Sequence, residues 1–186
     1  MRRGERKRKT GKGSEKSRRL AAKARQVRLL ILDVDGVLTD GRIVYGSGGA
    51  EWKAFDVHDG YGIKAAQRAG LTVALLTSRS SEVVERRAKE LGVEELIQGQ
   101  EDKGAAYEAL LRRYHLTDAA AACVGDDLPD LPVLRRAGLA VAVAGAVAAV
   151  KREADYVTTR EGGRGAVREV IDLILAARRS SPRTFS

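Results

Sequence analysis

Residues 29–36 read Leu29-Leu30-Ile31-Leu32-Asp33-Val34-Asp35-Gly36. An apolar run without polar alternation is what a strand carries when helices cover both faces of its sheet. The run ends on two carboxylates that flank a single valine and are followed by a glycine, a turn residue. Apolar runs of strand length recur at 72–77, 95–98, 121–125, 139–143 and 155–157, so the first strand, 28–33, has company. Helical patterns fall between and after them, at 61–69, 81–91, 103–114, 129–137, 147–153 and 165–178. This alternation predicts an α/β fold: a Rossmann-like parallel sheet with helices on both faces. One stretch breaks the rhythm. Between Gly41 and Phe55 the chain runs Arg-Ile-Val-Tyr, then Gly-Ser-Gly-Gly, then Glu-Trp-Lys-Ala-Phe, the pattern of a protruding β-hairpin.

A chain of 186 residues with 44% hydrophobic and only 4% aromatic residues suits one domain with helices packed closely on a sheet. The net charge of +9 is unevenly placed. Residues 1–28 hold 13 Lys/Arg against 2 Asp/Glu, a net +11, which leaves 21 against 23, or −2, for the remainder. The basic segment has almost no apolar residue before Leu20, so residues 1–17 are expected to be a disordered, solvated tail and not a nucleic-acid arm. Residues 18–26 are expected to run as a helix into a single domain spanning 18–179, with 180–186 as a flexible C-terminal tail. No apolar run is long enough to cross a bilayer and the basic segment has no apolar leader, so a cytoplasmic protein without membrane contact is expected. The single Cys123 lies in Ala-Ala-Cys-Val and reads as a buried core thiol.

In open parallel sheets ligands gather beyond the carboxyl ends of the strands. Four places there carry unusual polarity: Asp33-Val34-Asp35, Thr77-Ser78-Arg79, Lys103 at a helix start, and Gly125-Asp126-Asp127 followed by Asp130. Carboxylates crowded at one edge need raised pKa values or a cation. Hard oxygen donors suit magnesium, which keeps part of its water shell and meets phosphate at such sites. Lys103 in a first helical turn opposes the helix dipole unless an anion lies near. Each piece alone has an ordinary explanation as a turn or a helix cap. Their shared placement and order argue for a site.

That order resembles the haloacid dehalogenase superfamily of phosphohydrolases, whose four motifs match Asp33-Val34-Asp35-Gly36-Val37, Thr77, Lys103 and Gly125-Asp126-Asp127. Further stretches are similar to one of its families, the 3-deoxy-D-manno-octulosonate (KDO) 8-phosphate phosphatases. They are 33–40, the run from Lys53 to Gly62, Gln98-Gly99-Gln100, Gly125 to Asp130 and Gly162 to Ala166. The resemblance implies a magnesium-dependent phosphatase of lipopolysaccharide biosynthesis that releases KDO and phosphate. Asp33 would be the nucleophile and Asp35 the acid and base; Thr77 would donate to a phosphoryl oxygen, and Lys103 would balance charge. Metal ligands would be the Asp33 side chain, the Asp35 backbone carbonyl and Asp126, with Asp127 and Asp130 farther out. Asp35, Asp56, Val57, His58, Asp59, Gly60, Lys64, Arg79, Arg87 and Lys103 would contact a small phosphorylated sugar acid.

Two positions depart from the family pattern: His58 stands where Arg is common, and Ser78 where Gly is common. Arg164, set among glycines, is a further candidate for an anion. His115 has no catalytic neighbour and reads as a surface residue ending a helix.

The spans between Asp33, Thr77 and Lys103 leave no room for a cap domain, and a bare site would discriminate sugars poorly. The resemblance implies a homotetramer, with hairpins associating through residues 43–45 and 52–55 and a C-terminal segment reaching a neighbour's site. The competing reading is a hairpin folded on its own sheet. Other readings of the function are a nonulosonate 9-phosphate phosphatase, a phospho-accepting receiver module and a tail-driven nucleic-acid binder.

Overall fold

The computed structural model describes residues Lys9–Ser180. Six strands form one parallel sheet in the order β5-β4-β1-β6-β7-β8. They are β1 (Leu29–Leu32), β4 (Thr72–Leu76), β5 (Glu95–Ile97), β6 (Ala121–Gly125), β7 (Leu139–Ala142) and β8 (Tyr156–Val157). Strands β2 (Val44–Tyr45) and β3 (Glu51–Trp52) make the separate antiparallel hairpin, short but where the sequence places it. The fully buried strands β1, β6 and β7 are the apolar runs whose lack of alternation announced two covered faces.

The helices are α1 (Lys9–Gln26), α2 (Val57–Arg68), α3 (Glu82–Leu91), α4 (Lys103–Arg113), α5 (Leu131–Leu134), α6 (Ala148–Glu153) and α7 (Ala166–Arg179). Helix α7 shows why they pack. Val167, Val170, Ile171, Ile174 and Ala177 recur at helical spacing and are all buried. Cys123 is buried in β6, as expected, and burial raises its thiol pKa.

Three boundaries differ from the sequence expectation. Helix α1 begins at Lys9, so the part of the 1–17 segment that is described is helical, not disordered. Its Lys, Arg and Glu are adequate helix formers, and the helix grows outward from a C-terminal half anchored by buried Ala24. Residues 1–8 and 181–186 lie outside the described residues. Helix α2 begins at Val57, ahead of the expected residue 61, because the Asp56 side chain caps it by accepting from His58 N. The expected helix at 129–137 is a 3-10 turn, Leu128–Asp130, followed by the short α5.

The sheet order reverses direction at β1, which lies between β4 and β6. Leu32 is level with both Leu75 and Val124. The residues just beyond, Asp33, Thr77 and Asp126, therefore emerge at one edge, at the switch point where such sheets bind ligands.

Candidate active site

Beyond β1 the backbone turns sharply, and Gly36 adopts φ 95°. A side chain at this position would be strained and would overlap the Asp126 carboxylate, so glycine lets the two loops close on each other. Thr39, which sequence reasoning did not single out, ties the turn together. Its buried hydroxyl donates to Val34 O at 3.3 Å and accepts from Gly36 N at 3.3 Å and Gly41 N at 3.2 Å. Behind the turn sits Gly162, where a Cβ would overlap the Gly36 carbonyl, and Gly163 N donates to Val37 O at 3.0 Å.

Lys103 opens α4 and is buried, and it finds the anions its position calls for. Its Nζ donates to Asp33 Oδ1 at 2.8 Å and to Asp130 Oδ1 at 2.7 Å. Asp130 Oδ2 in turn accepts from the backbone N–H groups of Asp126 at 2.9 Å and Asp127 at 3.3 Å. Burial alone would depress the Lys103 ammonium, but Asp33 and Asp130 outweigh it and hold the pKa above the ordinary lysine range. Burial, then the charge of Asp130, pushes Asp33 up to about 6 against the pull of Lys103. Burial, then Asp33 and Asp130, pushes Asp126 up to about 7. The carboxylates thus lack positive charge even with one ammonium among them.

Oxygen atoms of Asp33, Asp126 and Asp130 lie within 4.8 Å of one another. Asp126 Oδ1 is buried without a hydrogen-bond partner. An orphaned carboxylate oxygen beside two more is a costly arrangement in the absence of a cation. A set made of hard oxygens alone fits a magnesium-class ion. Asp130 is already committed to Lys103 and to backbone N–H groups, which leaves Asp33 and Asp126 as the freer side-chain ligands.

Asp35 is held differently. Its Oδ1 pairs with Lys53 Nζ, and its Oδ2 is 4.0 Å from Arg79 Nε. Lys53 is expected from sequence only as part of the 52–55 interface, with no role at the site, although the alternation Glu51-Trp52-Lys53 puts 51 and 53 on one side of the strand and 52 on the other. Thr77 is buried at the end of β4, and its Oγ1 accepts from Arg79 N at 3.3 Å.

The other expected substrate residues form a second group. Val57, Gly60, Lys64 and Arg87 share a shallow depression with Tyr61 and Leu91, whose lining includes none of the clustered acids. Asp56 caps α2, and its Oδ1 also lies 3.0 Å from Nδ1 of the exposed His58. Asp59 departs from expectation. It is 1% exposed and spends its carboxylate on the start of α7, accepting from Gly165 N at 3.2 Å and Arg168 N at 2.7 Å. The missing signal was long-range: the backbone groups it caps lie more than a hundred residues away. Arg164 is exposed, with Nε 3.9 Å from Glu161 Oε2, and His115 is an exposed residue just past α4.

The model of the haloacid dehalogenase-like hydrolase family matches residues 93–171. The 3-deoxy-D-manno-octulosonate 8-phosphate phosphatase KdsC of Escherichia coli K12 is 52% identical over 156 residues, which is 84% of this chain and 83% of that protein. The chain belongs to the KdsC family of haloacid dehalogenase-like hydrolases. Family structures agree with the fold. The Yersinia pestis KDO 8-phosphate phosphatase superposes with a TM-score of 0.86 at 48% identity, covering 87% of each chain. The Moraxella catarrhalis phosphatase, solved with magnesium, phosphate and KDO, gives 0.85 at 46% identity, covering 86% of this chain and 92% of that one. Family membership makes the chain a hydrolase and sets aside the receiver module.

Proposed function

We propose that this chain hydrolyses 3-deoxy-D-manno-octulosonate 8-phosphate to KDO and phosphate, as a magnesium-dependent cytoplasmic step of lipopolysaccharide biosynthesis. The observation that carries the reading is the cluster beyond β1, in which Asp33 meets Lys103 and an orphaned Asp126 oxygen at the switch point of the sheet. Similarity to phosphatases of that name, and to one solved with magnesium, phosphate and KDO, supplies the substrate.

In this reading Asp33 attacks phosphorus, the bond from phosphorus to the sugar oxygen breaks, and Asp35 gives that oxygen a proton. Water then attacks the aspartyl phosphate, returns a proton to Asp35 and releases phosphate, so that one hard displacement becomes two easier ones. Thr77 donates to a phosphoryl oxygen, and Lys103 balances its charge. The side chains of Asp33 and Asp126 and the backbone carbonyl of Asp35 would hold magnesium, which would supply positive charge beside the phosphoryl group.

Asp35, Asp56, Val57, His58, Gly60, Lys64, Arg79, Arg87 and Lys103 are the proposed substrate contacts, the cations suiting a sugar carboxylate and phosphate. Asp59 serves them from behind by fixing α7. A homotetramer joined through the hairpin completes the proposal. Its support is the exposure of Val44 (47%), Tyr45 (69%) and Trp52 (64%), a cluster of large apolar side chains on one short hairpin. Among the described residues no helix is long and apolar enough to cross a membrane, and the proposed partners include neither membrane nor nucleic acid.

The departures at His58 and Ser78 keep a nonulosonate 9-phosphate as the rival substrate. Turnover on a panel of octulosonate 8-phosphate, nonulosonate 9-phosphate and hexose phosphates decides between them. Highest kcat/KM on the octulosonate is expected, and a preference for the nonulosonate would replace it as substrate.

A further inference from the structure

The hairpin sends a buried cation into the active site. Lys53 follows β3 directly, and its side chain is 0% exposed. Two carboxylates face it: Asp35, through Oδ1, and Glu51, whose Oε1 is 3.4 Å away. On the other limb of the hairpin, Tyr45 OH accepts from Arg79 Nη2 at 3.1 Å, and the same arginine has Nε 4.0 Å from Asp35 Oδ2. Both cations beside Asp35 are thus tied to the hairpin, one through the chain and one through a hydrogen bond. Asp35 Oδ2 is buried and has no hydrogen-bond partner.

A lysine buried this completely needs compensation, and Glu51, next but one in sequence, provides part of it locally. The contact with Asp35 adds something else. The terminal torsion of an aspartate is broad, so an unpinned carboxylate samples many orientations. Pinning Oδ1 leaves Oδ2 as the carboxylate oxygen with no hydrogen-bond partner. The amine itself is enclosed by protein groups, so it acts on Asp35 and not on substrate.

We propose that Lys53 is a positioning residue for the acid–base step, clamping Asp35 through Oδ1, and that the seating of the hairpin thereby sets the rate of proton transfer. This rests on Asp35 being the group that protonates the leaving oxygen and later activates water.

The two leaving groups of different basicity separate this role from a structural one. p-Nitrophenolate departs without a proton, whereas a sugar alkoxide needs one. With Lys53→Met and p-nitrophenyl phosphate, rapid mixing should show a burst of about one p-nitrophenolate per chain followed by slow turnover, because only the water-activation step is impaired. With the sugar phosphate the same variant should show no burst and a kcat lowered roughly 10- to 100-fold at little changed KM. Lys53→Arg should recover part of kcat.

A Lys53→Met enzyme with wild-type kcat on the sugar phosphate would overturn the proposal. So would equal losses on both substrates without a burst, since a folding defect shrinks the burst with the competent fraction. Asp35→Asn run alongside tests the underlying reading. Should that variant turn over normally, the assignment of Asp35 fails whatever Lys53 does.

Discussion

Lys103 Nζ donates to Asp33 Oδ1 at 2.8 Å, joining residues 70 apart in the chain. The same ammonium holds Asp130, which steadies the backbone of Asp126 and Asp127. One buried cation therefore sets two carboxyl-bearing segments, the turn at Asp33 and the loop 126–130, relative to one another.

Replacing Asp33 or Asp35 by Asn should leave the fold intact and remove activity by on the order of a thousandfold or more, since in the proposed mechanism each acts in a bond-making or proton-moving step. Circular dichroism and steady-state phosphate release measure the two halves of this expectation. Either variant turning over at the wild-type rate would refute its role.

The raised carboxyls give a pH signature without metal. The native state holds protons on Asp33 and Asp126 up to about 6 and about 7, whereas the unfolded chain releases them near 3.8. Native protein therefore binds more protons in this window, and stability falls as pH rises through it. In chelator, Asp126→Asn should overtake the wild type in thermal stability between about pH 4 and pH 7. Added magnesium should reverse the order, because the wild type gains a ligand-bound native state. A difference in melting temperature that does not move with pH would contradict the crowding of charge.

Asp59→Ala should cost about 1–2 kcal/mol of stability, the usual loss for a helix cap. Asp59→Asn should retain most of it, since an amide oxygen still accepts from Gly165 N and Arg168 N. Denaturant midpoints at constant m-value make the comparison. If the alanine variant were as stable as the wild type, the cap would be dispensable.

Val44 and Trp52 are direct partners across the hairpin, and both face outward. Changing both to Glu should lower the sedimentation coefficient toward that of a monomer while leaving the α/β core folded, because charges are poorly tolerated in a buried interface. Unchanged sedimentation would place the subunit contact elsewhere.

Much of this was legible beforehand, for a physical reason. Strands such as 29–32 and 121–125 are buried on both faces, so their sequences carry nothing but apolar residues and their ends stand out. The polar residues sit at or beyond those ends, which is why Asp33, Thr77, Lys103 and Asp126 could be named together. What escaped depends on distant neighbours. Lys53 is one charged residue in a short hairpin, and its burial against Asp35 exists only once the hairpin folds over the loop. Asp59 looked like part of a binding stretch, but it is a cap for a helix far along the chain. Helix α2 starts at Val57 and not at 61 because Asp56 caps it, a signal that the apolar pattern of 61–69 does not carry.

The contact of Gly162 with the Gly36 carbonyl has an implication for biosynthesis. The turn after Asp33 is made early by the ribosome, yet Gly162 and Gly163, which brace it, are made near the end, so the bracing waits until the chain has grown past residue 163.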